Sequence, residues 1–372
     1  MADNSKPVVS LSLDDFLQNS PIGPIQTAIG NNFYGINHRQ LASPIPINKD
    51  NYGYTFFVRP QLNMQKSNLR NMRRMTPLLT GDSNSLPRII RCLLDPRQMY
   101  GYPVKSGNPD IPDDSPTLEC PFVDNRQAFI PILTNHLKSI SGWPDINVPT
   151  YTSNPGAYEE AHSMVDGIIE NYTAYDIQAT FRNSKGDPIM AMFLAWLIYQ
   201  SAVFTGDLVP YPDFLVRNEL DYNTRIYRLV MDPTKTKVQK IAACGAAVVT
   251  SLPIGGSFDF STEKPYNDAN SDITINFKCN GAQYQDDILI DEFNKTVRMF
   301  NPSMDDRAYS NGAGSPITRD MVKIPNAMLN LFNNRGYPRI NPNSYDLEWY
   351  IYKDDLAKKE KAYENLLTTI TQ

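Results

Sequence analysis

Two segments of this chain alternate apolar and polar residues with strict period two. In Asp176–Arg182, Ile177, Ala179 and Phe181 are separated by Gln178 and Thr180 and flanked by Asp176 and Arg182. In Asp272–Asn280, Ile273, Ile275, Phe277 and Cys279 alternate with Asp272, Thr274, Asn276, Lys278 and Asn280. Only a strand places every second side chain on one face, so these segments require a sheet with one dry and one wet side. Aromatic and β-branched runs predict further strands at Tyr52–Val58, which ends at Pro60, and at Arg225–Met231, Val238–Val249 and Ser257–Phe260. Between the two alternating strands lies Ile189–Phe204, an apolar run entered through Asp187 as N-cap and Pro188 in the first turn. Its purely apolar part, Ile189–Tyr199, falls short of the roughly 20 residues a membrane span needs. It predicts a helix buried on most sides, in a core or a subunit contact, and no membrane span. Leu289, Phe293, Val297 and Phe300 recur at helical intervals. An amphipathic helix is predicted near Tyr345–Thr369, with Leu347, Ile351, Tyr363, Leu366 and Ile370 around the charged run Lys353–Lys361. The fold class is α+β, with antiparallel sheets, a packed apolar helix and a C-terminal helix.

Pro and Gly placement divides the rest. Residues 1–50 read as an irregular N-terminal arm: a short helix at Leu13–Gln18, then Pro21, Gly23, Pro24, Gly30, Gly35, Pro44 and Pro46. So long an aperiodic stretch is unusual inside a compact monomer and suits a neighbouring subunit. Residues 51–60 and 170–300 form the expected β domain, and 61–169 an inserted helical and irregular module. Within that module, Lys66–Arg97 carries seven Lys and Arg against Asp82 and Asp95. It reads as a solvated helical face or ion-paired contact surface rather than a DNA site, because few aromatics are interleaved for stacking. Residues 100–158 are irregular apart from a helix near Arg126–Ser139. Residues 301–343 return to Asn, Pro and Gly connections, and 301–372 forms a C-terminal extension.

Composition narrows function. Hydrophobic residues are 41% and charged residues 20%, a globular balance. A net charge of -5 argues against a dedicated nucleic-acid binder, whose affinity comes from neutralised phosphates. Cys92, Cys120, Cys244 and Cys279 have long, irregular spacings and read as reduced, buried thiols. With no signal pattern in Met1–Ser10, synthesis in a reducing cytoplasm is expected.

Chemistry has few candidates. Glu159, Glu160, His162 and Asp166 suggest half of a di-iron motif without its second half, and read as an exposed helical face. His38 and His136 lack partners at a diagnostic spacing. Asp268, Asn270 and Asp272 begin like a calcium loop, but Ile273 and Cys279 occupy its Gly and Glu positions, leaving a turn. Gly255–Gly256 lacks the Lys-Ser/Thr sequel of a phosphate loop. Asp113–Asp114 and Asp286–Asp287 read as solvated loops. The small-residue run Ala242–Ala247 marks either a close backbone approach or tight core packing. The expectation is a non-enzyme without catalytic, cofactor-binding or metal-site residues, and without cofactors.

The order of Asp176–Arg182 (DIQATFR), Asn183–Asp187 (NSKGD), an apolar helix, Val238–Pro253 (VQKIAACGAAVVTSLP) and Asp272–Gly281 (DITINFKCNG) resembles the tail-tube fold of contractile phage tails. It covers about a third of the chain. Leu11–Phe16 (LSLDDF) is similar to the opening of baseplate tube-initiator proteins. The resemblance implies a tail-tube-like barrel or sandwich and a virion structural subunit. Copies would form a ring, a hexamer, joined by sheet and arm contacts around a channel through which DNA passes transiently. Neighbouring tail tube or baseplate proteins are the implied partners. Six copies would sum to 6 × -5 = -30, so an acidic bore would let DNA slide. Alternatives are a neck, tail-completion or capsid-associated protein, and a β-rich hydrolase.

Overall fold

The structure is a computed structural model that describes residues 50–70, 72–99, 120–169, 171–263, 268–307, 315–332 and 335–370. The predicted helix at Leu13–Gln18, the rest of the arm before Asp50, His38 and Asp113–Asp114 lie outside the described residues.

The two alternating segments form the long central strands. β1 (Gly53–Phe57), β2 (Leu137–Ser141), β5 (Asn171–Arg182), β6 (Ile226–Met231), β7 (Val238–Ser251) and β8 (Asp272–Tyr284) make an antiparallel sheet of order β1-β6-β7-β8-β5-β2. The remaining strands are β3 (Thr150–Thr152) paired with β4 (Ser163–Val165), and β9 (Met321–Ile324), β10 (Tyr337–Ile340) and β11 (Leu347–Tyr352) in a small sheet. The helices used below are α1 (Pro131–His136), α2 (Pro188–Thr205), α3 (Asp287–Phe300) and α4 (Lys353–Ile370).

The large sheet curls into a nearly closed barrel-like shape. Its β1 end is shut by the chain itself: Phe57 O accepts from Ile130 N, Arg59 N donates to Ala128 O (both 2.9 Å), and Val58 bridges Phe129. From there α1 leads directly into β2, the strand at the other end of the sheet. The expected helix over Arg126–Ser139 is therefore confined to Pro131–His136. Its last residues become strand because the β5 edge offers a ladder to pair with.

One core lies between the sheet and α2. Ile177, Ala179, Phe181, Ile273, Ile275 and Phe277 point into it from β5 and β8, meeting Phe193 and Trp196 of the helix. Burying such aromatics contributes roughly 1.5–3 kcal/mol each. By length and composition alone α2 could cross a membrane. Here Ile189, Phe193, Trp196 and Tyr199 are fully buried against protein, while Leu194 and Phe204 face outward. Asp187 starts this helix differently from expectation. It sits at φ +51°, and its side chain accepts from Asn183 Nδ2 (2.6 Å) instead of a helix N–H.

The second core covers the opposite face at the β1–β6–β7 end. There α3 places Leu289, Phe293, Val297 and Phe300 on Phe56, Tyr227 and Leu229. Behind α3 stands the small sheet, so residues 301–343, expected to be connections, supply β9 and β10. The helix expected from Tyr345 begins only at Lys353. Leu347 and Ile351 instead belong to β11, which is sandwiched between β10 and β9 and buries both residues.

Three further expectations change. Ser257–Phe260 is no strand: Gly255–Phe258 makes a 3-10 turn and leaves Phe258 and Phe260 exposed. Glu159–Asp166 lies in the turn and second arm of the β3–β4 ribbon, not on a helix. The basic stretch is not uniformly solvated. Arg91 is buried and donates to Met64 O (2.9 Å).

The small-residue run has a local cause. Between the pairs Cys244–Ala282 and Ala246–Asn280, Gly245 of β7 stands opposite Gly281 of β8. A Cβ on Gly245 would stand 2.9 Å from Asn280 O, and Gly281 has φ +66°. Across these glycines the buried set shifts by one residue: Cys279 is followed by Ala282, and Cys244 by Ala247. Close backbone approach within the sheet accounts for Gly245, while Ala243 and Ala247 pack into the two cores.

Candidate functional site

Several of the groups that could have carried chemistry are engaged structurally. His136 Nδ1 contacts Ile132 O (3.0 Å) within its helix, and His162 stands on the exposed ribbon. Asp286 is not a solvated loop residue but the N-cap of α3, accepting from Ile288 N (3.0 Å), while Asp287 accepts from Tyr345 Oη (2.9 Å). Asp272 pairs with Lys138 (2.6 Å), and Asn270 O accepts from Asn183. Among the described residues no three His, Cys, Asp or Glu side chains group as metal ligands. All four cysteines are free and buried.

Sequence reasoning missed the buried polar cluster beneath α2. Asp95 accepts from Met64 N (2.8 Å) and Tyr211 Oη (2.8 Å), and Tyr199 Oη donates to Asp221 while accepting from Asn63 N (3.0 Å). Burial pushes both carboxyls up from 3.8 to about 6, against the lowering effect of these donors. Asp221 Oδ1 has no hydrogen-bond partner among the described residues. Asp221 and Arg225 border an open cavity of about 440 Å³ that contains no Ser, Cys or His. Arg225 is itself paired with Glu292. Nothing here pairs a nucleophile with a base. The only hint in the sequence was charge: Asp95 stands among arginines.

What the fold does present is surface. The outer face of β5 and β8 is a polar sheet directly behind the apolar core. Asp176 pairs with Lys278 (3.0 Å), Thr180 meets Thr274 (3.1 Å), and Gln178 lies opposite Asn276. Lys138 of β2 and Arg182 complete it, giving three cations against Asp176 and Asp272, a sum of +3 - 2 = +1. This face does not carry the acidity of the whole chain.

Beside it, among the described residues β2 pairs only with β5, on one of its two edges. Between β2 and β5 the chain leaves the body as the β3–β4 ribbon. Trp143 anchors its base, packing on Tyr175 and Tyr284, and Tyr284 Oη donates to Pro144 O (2.6 Å). Beyond that anchor Tyr151, Met164, Val165, Ile168 and Ile169 are exposed. A two-stranded ribbon is at best marginally stable alone in water. Among the described residues nothing buries these apolar side chains.

Residues 10–365 match a family of phage tail tube proteins. No curated protein matches the chain. Among solved structures, the chain is similar to the tube-terminating cap of the anti-feeding prophage: 16% identity, 42% of this chain and 82% of the other, TM-score 0.27. It is also similar to the sheath/tube terminator of the extracellular contractile injection system PVC: 13% identity, 40% and 85% coverage, TM-score 0.24. A chain of the PVC sheath–tube complex gives 15% identity, 42% and 82% coverage, TM-score 0.26.

Proposed function

The chain belongs to the phage tail tube protein family, and from that premise we propose that its copies join edge to edge in a six-membered ring around a DNA-conducting channel. As a member of that family it is a structural protein of the tail. The reading holds that it serves as tail tube or as a baseplate tube-initiator or adaptor, assembled in the host cytoplasm and stacked on neighbouring tail proteins.

One observation carries the reading: a polar sheet face and a strand edge that no described residue pairs stand side by side. Open edges invite pairing, and closed symmetry is the ordered way to satisfy them. With the β5–β8 face turned inward, α2 lies outside. The acidic bore expected from net charge gives way to a nearly neutral one, whose ion pairs are internal to the face. Such a surface neither attracts phosphates strongly nor repels them.

Labelling tests this arrangement. Gln178→Cys places a thiol on the polar face and Leu194→Cys one on the outward side of α2. In particles imaged by electron microscopy, a bulky maleimide should reach the outer thiol and fail to reach the inner one. Equal labelling of both in intact rings would refute it.

A further inference from the structure

The ribbon and the first basic stretch are complementary in charge. Residues 142–169 contain Asp145, Glu159, Glu160 and Asp166, all exposed, and no Lys or Arg. The ribbon holds itself together through Ser153 N to His162 O, Gly156 N to Glu160 O and Asp166 N to Pro149 O, each 2.8 Å. Its form is thus internally fixed while its side chains remain in water.

The opposite signature occupies residues 66–79. Lys66, Arg70, Arg73 and Arg74 are exposed, and no Asp or Glu occurs between Gln61 and Gly81. The stretch is held from beneath by buried Leu69, Met75 and Leu78, which pack into the same core as α2. Asn68 bonds Val209 in both directions, Nδ2 to O and Oδ1 to N, each 3.1 Å. Val209 is half exposed, and Phe204, at the end of α2, is 93% exposed. A rigid basic surface therefore adjoins an apolar one, which matches a ribbon that is acidic and apolar.

We propose that the ribbon of one copy docks on the 66–79 surface of a second copy, with its carboxylates meeting Arg70, Arg73 and Arg74 and its apolar side chains covering Val209 and Phe204. The proposal rests on the reading that copies associate and adds which two surfaces meet. Nucleic acid on the basic stretch would satisfy the arginines and leave the ribbon uncovered, so a second copy accounts for more of the surface. Because ribbon and basic stretch are different patches, the contact is head-to-tail and propagates from copy to copy.

A charge swap tests it on the full chain. Glu159→Lys/Glu160→Lys and Arg73→Glu/Arg74→Glu are each made alone and then combined in one chain, and self-association is followed by sedimentation at low and moderate salt. Each pair alone should weaken association by roughly ten-fold or more, with the loss larger at low salt. The combined chain should recover it, which a folding defect in either parent could not do. Association unchanged by either pair, or no recovery in the combined chain, overturns the docking and leaves the ring reading standing. Loss of duplex DNA retention in the Arg73→Glu/Arg74→Glu chain with unchanged self-association also overturns it, assigning the arginines to nucleic acid. A wild-type chain that never associates contradicts both readings.

Discussion

The two halves of the large sheet are finished differently. At β1 and β6 both faces and the outer edge are closed by the chain: α3 and the small sheet cover one face, α2 and the segments leading to it the other, and Ala128–Ile130 the edge. β6 accordingly buries Ile226, Tyr227, Leu229 and Met231, losing strict alternation. At β5 and β2 the described residues cover one face only and leave the other polar, the β2 edge unpaired and the ribbon exposed. The same antiparallel ladder thus gives one half closed by its own chain and one half that the described residues leave uncovered. Sequence alternation survives only where water, or a neighbour's polar surface, is the second layer.

Mutations in the closed half should cost stability, and those in the open half should cost assembly. The largest effect is expected for Phe293→Ala. Phe293 is fully buried among Phe56, Phe129 and Tyr227, so its removal should lower unfolding free energy by about 3–5 kcal/mol in denaturant titration. Next comes Gly245→Ala at the junction of the halves. Its new Cβ meets the Asn280 carbonyl at 2.9 Å, and a loss of about 1–3 kcal/mol should appear as a lower melting temperature.

The buried carboxyls give a pH test. Their folded-state values are raised from 3.8 to about 6, so their contribution is fully present below about pH 4 and fades as pH rises through 6. Asp221→Asn keeps an oxygen for Tyr199 and places an amide where Oδ1 has no partner. Chemical denaturation of this variant should show a shallower decline between pH 4 and 6, with stability at pH 7 unchanged or about 1 kcal/mol higher. A steeper decline would assign the raised value elsewhere. The smallest stability effect is expected for Gln178→Ala on the polar face, within about 0.5 kcal/mol of wild type by the same titration. A core-sized loss there would show that the open half is not open.

Legibility followed the same division. β5, β8 and α3 were readable because each has one dry and one wet side, so period betrays structure. Leu347–Tyr352 was read as helix because Leu347 and Ile351 are also spaced four apart, and only its pairing with β10 and β9 decides for strand. The ribbon was misread because Glu159, Glu160 and His162 fit a helical face equally well, and no local signal says that a segment will protrude. The Asp95–Tyr211 and Asp221–Tyr199 contacts join residues 116 and 22 apart, beyond any spacing rule. The exposed face and ribbon left no motif because a surface is what remains once the core has formed.

The central claim is that the β2 edge and the ribbon are completed by sister copies while the β1 edge is not. Amide hydrogen exchange in assembled and dissociated protein measures this directly. Assembly should slow exchange at Leu137–Ser141 and across residues 143–169 and leave Gly53–Phe57 unchanged. Slowing at Gly53–Phe57, with β2 and the ribbon exchanging equally fast in both states, would contradict it.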